Sequence, residues 1–589
     1  MKDRIFNHLN KQQKEAVSYT DNPSIILAGA GSGKTRVLVY KVLYLIKNKQ
    51  VNPSSIIMIT FTNKAANEMK ERINKSLKVD LGFVGTFHSL CVRILRRYGQ
   101  QIDLDNNFII YNEQDQLSLI KEVLKKRQTK KYSSGYFLNQ ISGAKNQLIK
   151  PLQYARLFTD HNALTTFKVY QDYQKQLEKN KALDFDDLIG KTIDLFLKRP
   201  MVLDAIQDKF KYFLVDEFQD TNYAQYVLIK LLGEKNKKVT VVGDFSQSIY
   251  SWRGADINNL EKFKEDFPKA KMFYLEENYR STQKILDFAF KVISKNQTHP
   301  ILHLFTRNDE GEKVVCYQAQ NEEDEAIFVA EEAIRLGDQE NTTVLYRTNA
   351  QSRIIEEIFL HYGLPYILIG GTRFYERKEI RDTLAYLRLL IHPSDQISLE
   401  RVKKIGKRKY ESFKKYFRNI KNQLANKESG QLMEEIFAAT GYLNLYNPAE
   451  EEDYSRLENI KELKSVAVNY PKLSEFLEQI ALVESEYFEG EKKSGHDYHG
   501  IKLMTLHQAK GLEFSYVFVV GVEEGILPHV RSIDDHFQLE EERRLFYVGV
   551  TRAKKRLYIT YASRRFIFGR RTEATKSRFL EEIDAKDGY

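Results

Sequence analysis

The chain of 589 residues is too long for a single hydrophobic core, so roughly three to five structural domains are expected. Its 42% apolar and 29% charged content, with only 11 prolines and 29 glycines, leaves little room for a long disordered tract. A net charge of +11 favours an anionic partner, since clustered Lys and Arg release counterions on meeting phosphates, although a basic and inert surface fits charge alone equally well. Two cysteines, Cys91 and Cys316, exclude a disulfide framework, a four-cysteine zinc site and a cysteine-held iron–sulfur cluster. Met1 to Glu15 lacks an apolar signal core and no apolar run is long enough to span a bilayer, so a cytoplasmic protein with no membrane partner is expected.

Unbroken apolar runs at Ser24 to Ala28, Ile56 to Phe61, Tyr212 to Val215 and Val239 to Val242 suit strands buried on both faces of a parallel sheet. A second set at Val314 to Tyr317, Thr343 to Tyr346, Tyr516 to Val520 and Leu557 to Thr560 implies a second sheet. Between Phe61 and Tyr212 the apolar spacing is helical, as at Leu117, Ile120 and Leu124. A second helical stretch follows Ile380, Leu384, Leu387 and Ile391, with Ser494 to Gly500 as the crossing back to the sheet. The fold class is therefore α/β, two similar halves that each carry a helical insertion.

The first strand leads into Ala28-Gly29-Ala30-Gly31-Ser32-Gly33-Lys34-Thr35 and then a helix that starts near Arg36. Strand, glycine turn and helix N-terminus make a cradle of backbone N–H groups for phosphates, with Lys34 reaching the β- and γ-phosphates and Thr35 holding Mg2+. Ala28 stands where the strict pattern has glycine, and a glycine turn that binds nothing is the competing reading. The strand to Val215 ends in Asp216-Glu217, at the edge where parallel sheets open their ligand crevice. There Asp216 can hold Mg2+ and Glu217 can activate water as general base, against the alternative of a solvated acidic turn.

The strand to Val242 is followed by Gln247, an uncharged γ-phosphate sensor, and by Tyr250, the lone Trp252 and Arg253. Aromatics interleaved with a cation suit base stacking along a single strand, whereas Tyr and Trp in isolation are more often core residues. Taken in order, Gln13, AGAGSGKT, TFTNKAA from Thr60, GTFHSL from Gly85, LDFDDL from Leu183, VDEFQD from Val215 and VGDFSQSIYSWRGA resemble the UvrD/Rep/PcrA group of superfamily 1 helicases. LEENYRS from Leu275, LYRTNAQSR from Leu345, LMTLHQAKGLEF from Leu503 and the run from Glu540 to Leu557 continue the resemblance through the second half.

That resemblance implies two RecA-like P-loop domains with parallel sheets and helical inserts. The implied segments are 1A at 1–90 and 190–274, 1B at 91–189, 2A at 275–390 and 498–589, and a shortened 2B at 391–497. It implies that Gln13 reads the adenine edge, that Arg36 and Tyr279 pack on its faces, and that Glu513 meets the ribose. Arg280 and Arg552 are implied as the guanidinium groups that neutralise the γ-phosphate, with a surface ion pair as the alternative, stronger for Arg543 and Arg544. Phe61, Thr86, His88, Tyr250, Trp252, Arg253, Thr505 and His507 are implied to follow the DNA strand, and the two histidines equally suit a structural role.

The implied activity is ATP- and Mg2+-dependent 3′→5′ movement on single-stranded DNA with duplex unwinding. Its partners are single strands and single-strand/duplex junctions, its state is a monomer or a weak self-associate, and no protein partner is implied. A translocase that strips proteins with little unwinding and an ATP-switched DNA-binding factor are the competing functions. The basic cluster Lys403 to Lys409 replaces a loop that relatives use near duplex DNA, and it reads equally as a phosphate contact or a solvated face.

Overall fold

The computed structural model describes residues 6–129, 132–159, 162–494, 499–567 and 570–584. The expected crossing Ser494 to Gly500 and the boundary at 497/498 fall largely on residues outside that set. Two compact units emerge, one running to Arg280 and taking in Asn296–Asn308, the other comprising Ser281–Lys295 and the chain from Asp309 onward.

The first unit is built on six parallel strands: β1 (Ser24–Ala28), β2 (Ile56–Ile59), β3 (Phe83–Gly85), β4 (Tyr212–Val215), β5 (Val239–Gly243) and β6 (Lys271–Leu275). Their order across the sheet is β3-β2-β4-β5-β1-β6, every pair parallel. β1 and β5 are buried at all five positions, as expected of strands covered by helices on both faces. β3 and β6 went unread in the sequence because β3 has three residues, one of them glycine, and β6 is an edge strand with an alternating burial pattern. Helix α1 (Lys11–Ser18) is started by Asn10, whose side chain accepts the Gln13 N–H in a capping box. Helix α2 (Lys34–Lys47) follows the glycine turn after β1.

The helical stretch within this unit comprises α3 (Glu113–Lys126), α4 (Ser134–Asn146), α5 (Pro151–Leu157), α6 (Ala163–Lys179) and α7 (Phe185–Lys198). Its separate core runs from Leu119 to Ala182, with Phe137, Val169 and Tyr173 fully buried. The helices Phe87–Tyr98 and α7 instead pack on the core of the sheet through Leu90, Leu95, Leu188 and Phe196. A buried Lys145 ammonium on α4 holds Asp184 and Asp187 at the start of α7, at 2.6 and 2.8 Å.

The second unit repeats the plan with β7 (Val315–Ala319), β8 (Thr342–Tyr346), β9 (Tyr366–Leu368), β10 (Ile501–Thr505), β11 (Phe514–Val519) and β12 (Ala553–Ala562), all parallel in the order β7-β12-β11-β8-β10-β9. Its insertion follows α8 (Lys378–Ile391) as α9 (Gln396–Ile405), α10 (Lys407–Ile420), α11 (Ser429–Thr440), α12 (Glu451–Asn469) and α13 (Leu473–Ser494). These helices share one core with α8, in which Ile380 and Leu387 join Leu432, Leu463 and Ile480. α12 is also tied to the sheet side of the unit: Arg353 donates to Glu462 at 2.7 Å and Arg377 to Asn459 at 2.9 Å. Within the basic cluster, Lys409 donates to the carbonyls of Thr440 and Gly441, so one of its cations caps α11. Among the described residues no helix is long and apolar enough to cross a membrane.

Ile26, at the middle of β1, is fully buried between the sheet and its helices. Ile26→Ala is expected to destabilise the first unit by about 2–5 kcal/mol through lost burial and a residual cavity. Denaturant titration followed by the fluorescence of Trp252, the chain's one tryptophan, reads that unit alone and checks the value.

Candidate nucleotide site and aromatic track

The strand order β4-β5-β1 brings three turns to one edge of the first sheet: Gly29–Gly33 after β1, Asp216–Glu217 after β4 and Asp244–Gln247 after β5. Gly33 precedes α2 at φ +85°, a left-handed conformation that glycine adopts without strain. Gly31 sits at φ +66°, and a Cβ there would lie 2.6 Å from the Asn278 amide nitrogen. Three successive loop carbonyls are bound from outside the loop. Ala30 accepts from the Asn278 side chain at 2.7 Å, Gly31 from the Tyr279 backbone N–H at 3.0 Å, and Ser32 from the Gln13 side chain at 3.0 Å. A peptide whose carbonyl is held on one side directs its N–H to the other, which preorganises a nest for an anion.

Gln13 is fully buried, and its oxygen also accepts the Asn10 N–H at 3.2 Å, so its amide anchors the loop to α1. Tyr279 is half-exposed beside the exposed Arg36, whose guanidinium carbon lies 6.0 Å from the ring centre. Two planar groups thus face each other next to the loop. Nothing in the local sequence marks Lys41 on α2. It is buried, its pKa is pushed down to about 7 by desolvation, and it donates to the Ala16 and Tyr19 carbonyls at 3.0 and 2.6 Å, capping the end of α1.

Lys34 at the start of α2 lies 3.7 Å from the Glu217 carboxylate. Asp216 is buried beside it, and burial together with the Glu217 charge pushes its carboxyl up to about 7, against the pull of Lys34. Glu217 takes the left-handed region at φ +51°, which costs a non-glycine residue about 1–2 kcal/mol. Asp244 is likewise buried with its pKa raised by desolvation, and it accepts the Gln247 amide at 2.6 Å. Thr35 lies in the first turn of α2. A buried carboxylate held above its ordinary range is a fit for a divalent cation, because the metal charge offsets the desolvation that raises the pKa.

Beyond Gln247 the chain turns outward. Tyr250 stacks on Phe61 with ring centres 6.0 Å apart and planes 4° from parallel. Trp252 is 53% exposed, and the Arg253 guanidinium lies 4.5 Å over its ring. A core role for Trp252 is therefore excluded. Thr86 spends its hydroxyl on starting the helix Phe87–Tyr98, accepting the Ser89 N–H at 3.3 Å. Burial lowers the pKa of His88, which keeps its ring neutral at neutral pH, and the ring meets Phe185 edge-on at 5.6 Å. Phe185, 47% exposed on α7, lies within the LDFDDL motif, and nothing in its local spacing marks it as a surface aromatic.

In the second unit Thr505 ends β10, its hydroxyl 3.1 Å from the Gln508 side chain, and His507 is partly buried two residues on. Arg552 is buried and donates to the carbonyls of Val548 and Leu512 at 2.9 and 3.1 Å. Glu513 pairs with Lys554 at 2.7 Å. Arg543 is paired with Glu582 at 2.5 Å and Arg544 with Glu540 at 3.7 Å. Arg280, in the first unit, has its backbone N–H on the Asn278 side-chain oxygen at 2.7 Å.

The sequence profile of the UvrD/REP helicase N-terminal domain matches residues 9–268, and that of the UvrD-like helicase C-terminal domain matches 273–411 and 402–564. The chain belongs to the UvrD/REP helicase family. Among its curated relatives in that family, the ATP-dependent DNA helicase PcrA of Bacillus subtilis is 44% identical, covering 99% of this chain and 86% of its own length. The PcrA helicases of Staphylococcus aureus and Staphylococcus epidermidis are 42% and 41% identical, each covering 98% of this chain. These alignments run to 638 positions against the chain's 589 residues, so the relatives carry insertions that this family member lacks.

The raised pKa of Asp216 fixes the sign of a pH effect. The folded state holds its proton more tightly than the unfolded chain, so this carboxyl costs stability progressively as pH rises from the ordinary carboxylate range through about 7. In magnesium-free buffer Asp216→Asn is expected to raise the melting temperature above pH 7 and to lose that advantage in acid, where Asp216 is protonated. Thermal melts of both proteins across pH check it, and an advantage independent of pH contradicts it.

Proposed function

We propose that this chain is an ATP-dependent DNA motor that moves 3′→5′ along single-stranded DNA and unwinds duplex at a single-strand junction. The observation that carries the reading is the convergence of Lys34, Asp216–Glu217 and Asp244–Gln247 at one sheet edge, with the Tyr250–Trp252 turn opening three residues after Gln247. Membership of the UvrD/REP family and full-length similarity to proteins named ATP-dependent DNA helicase PcrA support the substrates. The polarity rests on the family resemblance alone.

In this reading the loop N–H groups and Lys34 bind the phosphates of ATP, with the base between Arg36 and Tyr279. Gln13 would contribute at the adenine edge and Glu513 at the ribose. Thr35 and Asp216 would hold Mg2+, which neutralises phosphate charge when bound. Glu217 orients and deprotonates the attacking water, Gln247 senses the γ-phosphate, and Arg280 and Arg552 neutralise it. Phe61, Tyr250 and Trp252 stack bases with Arg253 beside them, while Thr86, His88, Thr505 and His507 contact the strand. The layout of domains 1A, 1B, 2A and 2B and a cytoplasmic location belong to the same proposal.

A second reading, a translocase that displaces bound proteins with little unwinding, draws on one observation. The relatives exceed this chain in length within the aligned region, and the C-terminal profile matches in two segments that meet at 402–411, inside the second insertion. Strand displacement measured beside protein displacement separates the two readings.

Glu217→Gln is expected to lower DNA-stimulated ATP turnover by about 10²- to 10⁴-fold while nucleotide binding persists. Unwinding of duplexes with 3′ tails, and not of those with 5′ tails, is the expected companion result. Normal turnover in Glu217→Gln removes the assigned base, and equal unwinding from both tails removes the polarity.

A further inference from the structure

Gln219 lies in the turn after β4, two residues beyond the proposed base, and is fully buried. Its amide nitrogen donates to the Glu217 carboxylate at 2.6 Å and to Asp220 at 3.2 Å, and its amide oxygen accepts the Asp244 N–H at 3.0 Å. Only this orientation is chemically consistent, since two carboxylates need a donor and a backbone N–H needs an acceptor. The Gln219 carbonyl in turn accepts the Ser248 hydroxyl at 3.1 Å. One buried residue therefore joins the turn bearing Glu217 to the turn bearing Asp244, Gln247 and, farther along, Tyr250.

Both turns are tied again at their far ends. The Asp256 N–H donates to the Thr221 carbonyl at 3.0 Å, the Asn259 side chain to the same carbonyl at 2.9 Å, and Asn222 bridges Ala255. Between these two ties runs the aromatic turn, with the Arg253 and Ala255 N–H groups both on the Tyr250 carbonyl. Gly243 leaves the space that this link requires, because a Cβ there would lie 2.7 Å from the Gln219 amide oxygen. At that separation something must move, and the Gln219 amide is the nearest group.

We propose that Gln219 is the positioning residue through which occupancy of the aromatic track sets the orientation of the Glu217 carboxylate. A displacement of the Tyr250–Trp252 turn reaches Asp244 through the backbone, the Asp244 N–H moves the Gln219 amide, and that amide carries the carboxylate. This link rests on the reading that Glu217 is the base and that Tyr250 and Trp252 meet DNA.

The test is ATP turnover of wild type, Gln219→Met and Gly243→Ala, with and without single-stranded oligonucleotide, alongside thermal melts and binding of a fluorescent ATP analogue and of the oligonucleotide. Both variants are expected to bind nucleotide and oligonucleotide within about threefold of wild type, while the ratio of stimulated to basal kcat falls at least ~5-fold. The double variant is expected to fall no further than the lower single, because both changes break one link. A residue with a merely structural role would depress both rates together and leave the ratio intact. A smaller fall in the ratio for Gly243→Ala, which keeps the glutamine, or additive losses in the double variant overturn the proposal. No stimulation of the wild-type protein by oligonucleotide overturns the functional reading instead.

Discussion

The adjacency of β4, β5 and β1 is the constraint on which the rest of the first unit depends. Parallel strands that end together deliver their following turns to one edge, and here three such turns carry a glycine loop, an acidic pair and a buried glutamine. The sheet can do this because its central strands β1, β4 and β5 are largely apolar and almost wholly buried between helices, so drawing one out of the sheet would expose its side chains. Rigid strands then hold polar turns that would be poorly placed on their own.

Those turns are arranged around unfavourable electrostatics. Asp216 and Asp244 are buried carboxylates whose pKa values rise through desolvation, and Glu217 adopts a strained backbone. Lys34 and buried amides offset part of that cost without cancelling it, which leaves a site that gains from binding a cation and an anion together. The glycine loop after β1 shows the complementary device. With its carbonyls held by Gln13, Asn278 and Tyr279, it is ordered before any ligand arrives, so less conformational freedom is lost on binding.

The two insertions solve the problem of attachment differently. The first has its own core between Leu119 and Ala182 and is joined to the sheet region through the buried Lys145–Asp184–Asp187 cluster. The second has no core separate from α8, and its helix α12 is further fastened by Arg353 and Arg377. A buried ion pair adds little net stability but strongly disfavours arrangements in which one partner is left alone. The Arg353–Glu462 pair therefore specifies where α12 lies more than it holds the unit together.

The α/β class, the two sheets and most of their strands were legible because unbroken apolar runs have a direct physical meaning, burial on both faces. The glycine loop and the acidic pair were legible because each lies in contiguous residues, and the family followed from the order of such motifs. What the sequence could not determine was every relation between distant positions. Residues from Asn278 to Arg280 lie beside a loop some 250 residues earlier because β6 pairs with β1, and Gln219 meets Asp244 because β4 lies next to β5. The exposure of Trp252, the neutrality of His88 and the capping duty of Lys409 likewise follow from what surrounds each side chain. Local pattern specifies which groups exist and which faces seek burial, while packing alone decides which of them meet, since hydrogen bonding and desolvation act only across the distances that the tertiary fold closes.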